Sequence, residues 1–174
     1  PVATLDDLRK VKVWTWEDSP MTKVIFDQAN VSAIPLSVPD VLVGLQTGLV
    51  DVVYAPPSGA ISLQWFTKIK YMTDVKLIYL IGGLVIQKKV FNKISPDHQK
   101  ILLETCRRRM NELKTTIRKE NREAIQVMVK YGAKIITPTA EKVAEFIKVS
   151  DQAIQRLEGK SFSKKIRDEV TAKI

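Results

Sequence analysis

The side chains best suited to gripping a small molecule gather at three points: Trp14-Thr15-Trp16, Ser37-Val38 and Tyr54-Ala55-Pro56, with Trp65 nearby. Tryptophan and tyrosine each offer a broad apolar face and one hydrogen-bonding tip. That chemistry binds a solute but supplies no acid, base or nucleophile. Because successive strand residues alternate faces, one of Trp14 and Trp16 is expected in the core and the other at a pocket. Groups for catalysis are sparse. His98 follows Pro96-Asp97 in the first turn of a predicted helix, where a surface polar residue is ordinary. Cys106 falls on an apolar helical stripe and reads as a core thiol. The carboxylate pairs Asp6-Asp7 and Glu17-Asp18 precede predicted helices and read as caps. With one histidine and one cysteine, a His- or Cys-based zinc centre is excluded by counting. There is no Gly-x-Gly-x-x-Gly, no Gly-Lys-Ser/Thr phosphate loop and no Gly-x-Ser-x-Gly elbow. No cofactor is therefore expected, and the chain reads as a binding module and not an enzyme.

The elements that must position these residues are strands alternating with helices. Val11 to Trp16 alternates apolar and polar residues and is rich in Val and Trp, a strand pattern. Glu17-Asp18-Ser19-Pro20 then starts a helix carrying Val24, Ile25, Phe26 and Ala29 on one stripe. Ser32 to Ser37 is a second strand, Pro39-Asp40 opens a helix to Leu49, and Gly48 stands where a left-handed cap is favoured. Val50 to Ala55 predicts a third, buried strand, and Ala60 to Thr67 a third helix. This order predicts an α/β fold with right-handed crossovers, a mainly parallel sheet and flanking helices. Small ligands of such folds sit at the carboxyl edge of the sheet, where the three aromatic clusters converge.

Downstream, Val75 to Gln87 predicts an extended apolar segment bent at Gly82-Gly83. Lys88 to Ile94 predicts a short helical turn. Ser95-Pro96 then caps a helix to about Tyr131, roughly 50 Å long at 1.5 Å per residue, with a kink expected at Asn121. A short strand Lys134 to Thr137, a helix from Pro138 through Leu157 and an amphipathic segment from Phe162 to Ile174 complete the chain.

At 174 residues the chain is long enough for one domain or most of one, and 45% hydrophobic with 27% charged residues is ordinary globular composition. Its longest apolar run, Leu77 to Ile86, falls short of the roughly 18 residues a membrane helix needs. No charged-then-apolar leader follows Pro1, so an export signal is expected to be removed or to lie outside these residues. Net charge is +9, concentrated between Arg107 and Arg122. That stretch has no aromatic residue for base stacking and matches no nucleic-acid-binding signature, so it reads as a solvated face and no nucleic acid is expected. An interaction domain holding an acidic partner on this basic helix is the alternative reading.

Thr4-Leu5-Asp6-Asp7-Leu8, Ile34-Pro35-Leu36 and the run from Gly44 to Asp51 stand in an order that resembles the TRAP (tripartite ATP-independent periplasmic) solute-binding proteins of the DctP type. Thr4-Leu5-Asp6-Asp7-Leu8 with Val11-Lys12-Val13 resembles the entry to their second lobe. Ile34-Pro35-Leu36 and Gly44-Leu45-Gln46-Thr47-Gly48-Leu49-Val50-Asp51 resemble the block that follows. Lys70-Tyr71-Met72-Thr73, Leu84 to Phe91, Ile94 to Leu103 and Gly132-Ala133-Lys134-Ile135 continue the likeness along essentially the whole chain. The resemblance implies a periplasmic-binding-protein-like lobe that captures a small-molecule solute outside the cytoplasm and passes it to membrane permease subunits. It further implies that residues 1–79 and 120–174 form the second lobe. Residues 80–119 would pack on a first lobe, with the long helix spanning both. Without that lobe, a homodimer or an exchange of elements is expected to cover the exposed face. The family's substrate-pairing arginine falls on Trp14, its asparagine on Ala55 and a glutamate on Tyr54, and no arginine lies between Lys10 and Lys100. The implied ligand is less acidic or more hydrophobic than a dicarboxylate, held by Trp14, Trp16, Ser37, Tyr54, Ala55 and Trp65.

Overall fold

The computed structural model describes residues 1–17, 19–76, 78 and 80–172. Asp18 of the second carboxylate pair, two positions of the 75–87 stretch and the last two residues of the terminal segment lie outside the described residues.

Helix α1 (Leu5–Arg9) opens on a capping box, with Thr4 Oγ1 accepting the Asp7 N–H at 3.0 Å while the Asp7 carboxylate accepts the Thr4 N–H at 3.0 Å. The Asp6-Asp7 pair thus acts at the start of a helix, as its position predicts. Strand β1 (Val13–Thr15) follows, then α2 (Pro20–Ala29), capped by Ser19 and closed by Asn30 in the left-handed region at φ 54°. Strand β2 (Ala33–Pro35) pairs parallel to β1, with Trp14 opposite Ile34. A 3₁₀ turn over Val38–Asp40 leads into α3 (Val41–Thr47), which Gly48 ends at φ 71°.

The expected third strand over Val50 to Ala55 shrinks to one parallel bridge, Val13 to Val52. Trp14 N–H donates to the Val52 carbonyl at 2.8 Å, and the N–H groups of Asp51 and Val52 both converge on the Lys12 carbonyl. Two donors on one acceptor break the ladder's alternation, and Pro56-Pro57 removes the donors needed to extend it. The expected helix from Ala60 to Thr67 is instead α4 (Pro57–Ser62) and a 3₁₀ turn (Trp65–Lys68), separated at Gln64 with φ 58°.

Strand β3 (Tyr71–Thr73), which the sequence pattern did not predict, pairs parallel to β4 (Lys134–Ile136). The parallel pairing therefore forms two separate two-stranded ladders rather than one sheet. Among the described residues, 75–87 form no strand, although an extended strand was expected there. Short α5 (Lys88–Phe91) precedes α6 (Pro96–Lys130), whose helical assignment runs without a break through Asn121. Ser95 makes no side-chain cap; its carbonyl accepts the Gln99 N–H instead. Helices α7 (Ala140–Leu157) and α8 (Lys164–Thr171) finish the chain. No helix among the described residues is long and apolar enough to cross a membrane.

Alternate side chains of β1 build two cores. Val13 joins Leu5, Phe26, Ala29, Val31 and Phe146 beneath α1, α2 and α7. Trp14 joins Val41, Val50 and Trp65 beneath α3 and the 3₁₀ turns. Helices thus cover β1 on both faces, which is why all three of its residues are buried. A smaller cluster of Ala60, Met128 and Ala133 fixes α4 on the second half of α6. Around the middle of α6 the stripe residues Met110, Leu113 and Ile117 are exposed.

Candidate functional site

The β1 chain leaves the core at Trp16. Trp14 is 1% exposed, and its indole N–H donates to the Leu36 carbonyl at 2.9 Å. Trp16, two residues on and past the end of the strand, is 42% exposed. Residues i and i+2 share a face, so the strand's alternation does not separate the two. The end of the strand does: Trp14 lies between β2 and Val52 under α3, while Trp16 has run past both.

Three aromatic rings meet around Trp14. Its centroid lies 5.1 Å from that of Trp16, 5.2 Å from Tyr54 and 5.2 Å from Trp65, the last edge-on at 72°. Trp65 is 2% exposed. Trp14 and Trp65, expected at the pocket, are therefore core residues here. Each is too large for the interior of a 3-residue strand or a 3₁₀ turn to leave at the surface without opening the second core. Their role is to brace Trp16.

Beside Trp16 an open cleft of about 300 Å³ is lined by Trp16, Glu17, Leu36, Ser37 and Val38. It unites the ends of β1 and β2, bringing two of the expected residues, Trp16 and Ser37, to one opening. Ser37 Oγ donates to the Asp40 carboxylate at 2.5 Å. Glu17, which the sequence pattern assigned to capping, lines the cleft instead. The cap is Ser19, whose Oγ accepts the Thr22 N–H at 3.3 Å. That exchange was legible in principle, because Ser-Pro is the stronger helix start.

Tyr54 and Ala55 are not in that lining. Ala55 is exposed, while Tyr54 is half-buried and bridges the two cores. Among the described residues the buried Tyr54 hydroxyl has no partner in bonding geometry. Burial pushes the phenol above its ordinary value; the Thr15 hydroxyl, the Trp16 N–H and the Thr22 hydroxyl lie near enough to offset only part of this. Thr15 and Thr22 bond each other, Oγ1 to Oγ1 at 2.9 Å, and so leave the phenol aside.

A second opening of about 400 Å³ lies away from the strand ends, between α2 and the end of α7, lined by Val24, Asp27, Arg156, Leu157 and Lys160. Among the described residues no group of His, Cys, Asp or Glu is placed to hold a metal ion. The arrangement at Trp16 offers an aromatic face, a carboxylate and a hydroxyl; it can hold a solute by stacking and hydrogen bonds.

The family model described as DctP: Bacterial extracellular solute-binding protein, family 7, matches residues 1–161. The 2,3-diketo-L-gulonate-binding periplasmic protein YiaO of Escherichia coli (strain K12) is 27% identical over 142 residues, 82% of this chain and 43% of that protein. A TRAP periplasmic solute binding protein from Xanthobacter autotrophicus Py2, with bound β-D-galacturonate, superposes with a TM-score of 0.85 at 18% identity. The match covers 99% of this chain and 55% of that one. Another from Desulfovibrio salexigens, with bound orotic acid, gives 0.78 at 19% identity over 88% of this chain and 49% of that one. The chain thus spans about half the length of the proteins it resembles. The two structural likenesses speak for the fold, an α/β lobe of the periplasmic-binding type.

Proposed function

The chain belongs to the DctP family, the bacterial extracellular solute-binding proteins of family 7, and from that premise we propose that it captures a small-molecule solute for a TRAP-type transporter. It works in the periplasm and hands the solute to membrane permease subunits. No bond is made or broken. Affinity comes from closing the site and expelling water from apolar surface.

The observation that carries this reading is the exposed, braced indole of Trp16 at the strand-end edge, beside Ser37. An indole held in place before binding loses little freedom when a solute lies on it. In this proposal Trp16 and Ser37 touch the solute. Tyr54 and Ala55 flank it, and Trp14 and Trp65 hold the platform from behind. With Trp14 where the family resemblance places an arginine, and no arginine from Lys10 to Lys100, the solute is less acidic or more hydrophobic than a dicarboxylate.

Residues 1–79 and 120–174 form the capturing lobe, while 80–119 pack against the other half of a two-lobed protein. The exposure of Ile81, Leu84 and Val85, and of Met110, Leu113 and Ile117, supports this division. A second copy of the chain, as a dimer or by exchange of elements, is the other way to cover these residues.

Native mass spectrometry of the protein purified from its own source tests the proposal. One small molecule per chain supports capture. An empty protein whose melting temperature responds to no member of a solute library refutes it. A second reading rests on the basic side chains from Arg107 to Arg122, all of them exposed. Binding of an acidic partner there would weaken steeply with salt, whereas solute binding would not.

A further inference from the structure

The cleft beside Trp16 carries one side-chain charge, and its sign is opposite to that of the chain. Net charge is +9, yet none of the 28 lysines and arginines is among the lining residues Trp16, Glu17, Leu36, Ser37 and Val38. The charge present is the exposed carboxylate of Glu17, and among the described residues no cation pairs with it. None of the basic residues from Arg107 to Arg122 lines the cleft.

The neutral groups point the same way. Ser37 commits its hydroxyl proton to Asp40 at 2.5 Å, which leaves its oxygen an acceptor and sets a second carboxylate directly behind it. The Leu36 carbonyl, already accepting from Trp14, is likewise an acceptor. The Trp16 ring presents a π face, negative at its centre, and packs against Trp14, which Tyr54 and Trp65 hold from its other sides. Apart from the indole N–H at the ring edge and the aliphatic Leu36 and Val38, the side chains that line the cleft accept hydrogen bonds or offer π density.

We infer that the solute presents a cationic head to this cleft, an ammonium or alkylammonium group that lies on the Trp16 indole and pairs with Glu17. A cation over tryptophan is favoured electrostatically, and the more so once water is expelled. The inference rests on the solute-capture reading above and narrows it to a class of solute.

Three probes of one shape and different charge test it: choline, the neutral 3,3-dimethylbutanol and the anionic 3,3-dimethylbutanoate, each titrated calorimetrically into the full-length protein. Choline is expected to bind about tenfold or more tighter than the neutral probe, with the anion weakest. Glu17→Gln should bring choline and the neutral probe within about twofold of each other without changing the far-ultraviolet dichroism. Trp16→Ala should weaken choline binding most. Equal or tighter binding of the neutral or anionic probe, a choline preference that survives Glu17→Gln, or no binding of any of the three overturns the inference. A copurified solute that lacks a cationic group also overturns it while leaving solute capture standing. Failure of capture itself is read separately, from an empty protein that responds to no solute.

Discussion

Trp14 on the first strand and Trp16 just past its end have ring centroids 5.1 Å apart and planes tilted by 51°, and only Trp16 reaches solvent. Their contributions to stability and to binding should therefore separate. Trp14→Ala empties the second core and strands the Leu36 carbonyl, and should cost about 3–5 kcal/mol. Trp16→Ala should cost about 1 kcal/mol or less, because the ring is close to half exposed. Urea titrations of the two variants check this. Equal losses would mean that Trp16 is a core residue and not a platform.

Tyr54 offers a prediction in pH. Its hydroxyl is buried with no partner among the described residues, and burial raises the phenol above its ordinary 10.0. A raised value in the folded state means that the unfolded chain releases the proton first. Stability is then fully present below pH 10 and is lost as pH rises from 10 through the folded value. Tyr54→Phe removes this alkaline decline. At neutral pH it should be neutral to about 1 kcal/mol stabilising, since it discards an unpaired buried oxygen. Chemical unfolding at pH 7 and across the alkaline range reads both effects. A loss above 1 kcal/mol at pH 7 would show that the hydroxyl has a partner.

Asn121 ties the long helix to the start of α4. Its Oδ1 accepts from the Ser58 N–H at 3.0 Å and from Ser58 Oγ at 2.9 Å, both in the first turn of α4. Asn121→Ala should cost about 1–2 kcal/mol. Asn121→Asp keeps the acceptor and adds negative charge near a helix start, so it should retain most of that stability. If both variants lose equally, the side-chain amide rather than its oxygen is what α4 needs.

The same residue marks what the sequence could and could not reveal. A polar side chain on an apolar stripe was legible at Asn121, and it was read as a kink; the partner, Ser58, is 63 residues away and leaves no local sign. The strands and helices from Val13 to Thr47 were legible because their caps are local, Ser19 before Pro20 and Gly48; helix α1 was not, although the Asp6-Asp7 pair was read as belonging to a helix start. Tyr71 to Thr73 was missed because a three-residue strand has too short a period to register and gains its identity from β4, more than sixty positions on. Residues 75–87 erred in the opposite direction. Apolar composition alone predicted a strand, but a strand needs a partner, and here Ile81 and Val85 are 87% and 91% exposed. At the site, aromatic type singled out Trp14, Trp16 and Trp65 alike. Burial, which sorts them into one surface and two core residues, is set by α3 and the 3₁₀ turns packing from further along the chain.

Gly44 links the core to the cleft. A Cβ at this position of α3 would stand 2.9 Å from Leu36 Cδ1 and 3.2 Å from Val50 Cγ2. The backbone is helical, so conformational freedom is not the issue; the close approach of α3 to the chain beneath it is. Val50 is 1% exposed and held among Trp14, Val41 and Trp65, so it cannot give way. Leu36 is only partly buried and can, but it lines the cleft beside Trp16. Gly44→Ala should therefore cost about 1–3 kcal/mol in overpacking, less the roughly 1 kcal/mol that alanine gains over glycine in a helix. It should also weaken solute binding, because the displaced Leu36 side chain moves into the opening. Gly44→Ala with Leu36→Val, which withdraws the clashing methyl, should recover stability and binding together. Urea midpoints and calorimetric titration of the single and double variants measure the coupling. Purely additive losses would show that Leu36 is not the route by which the helix reaches the site.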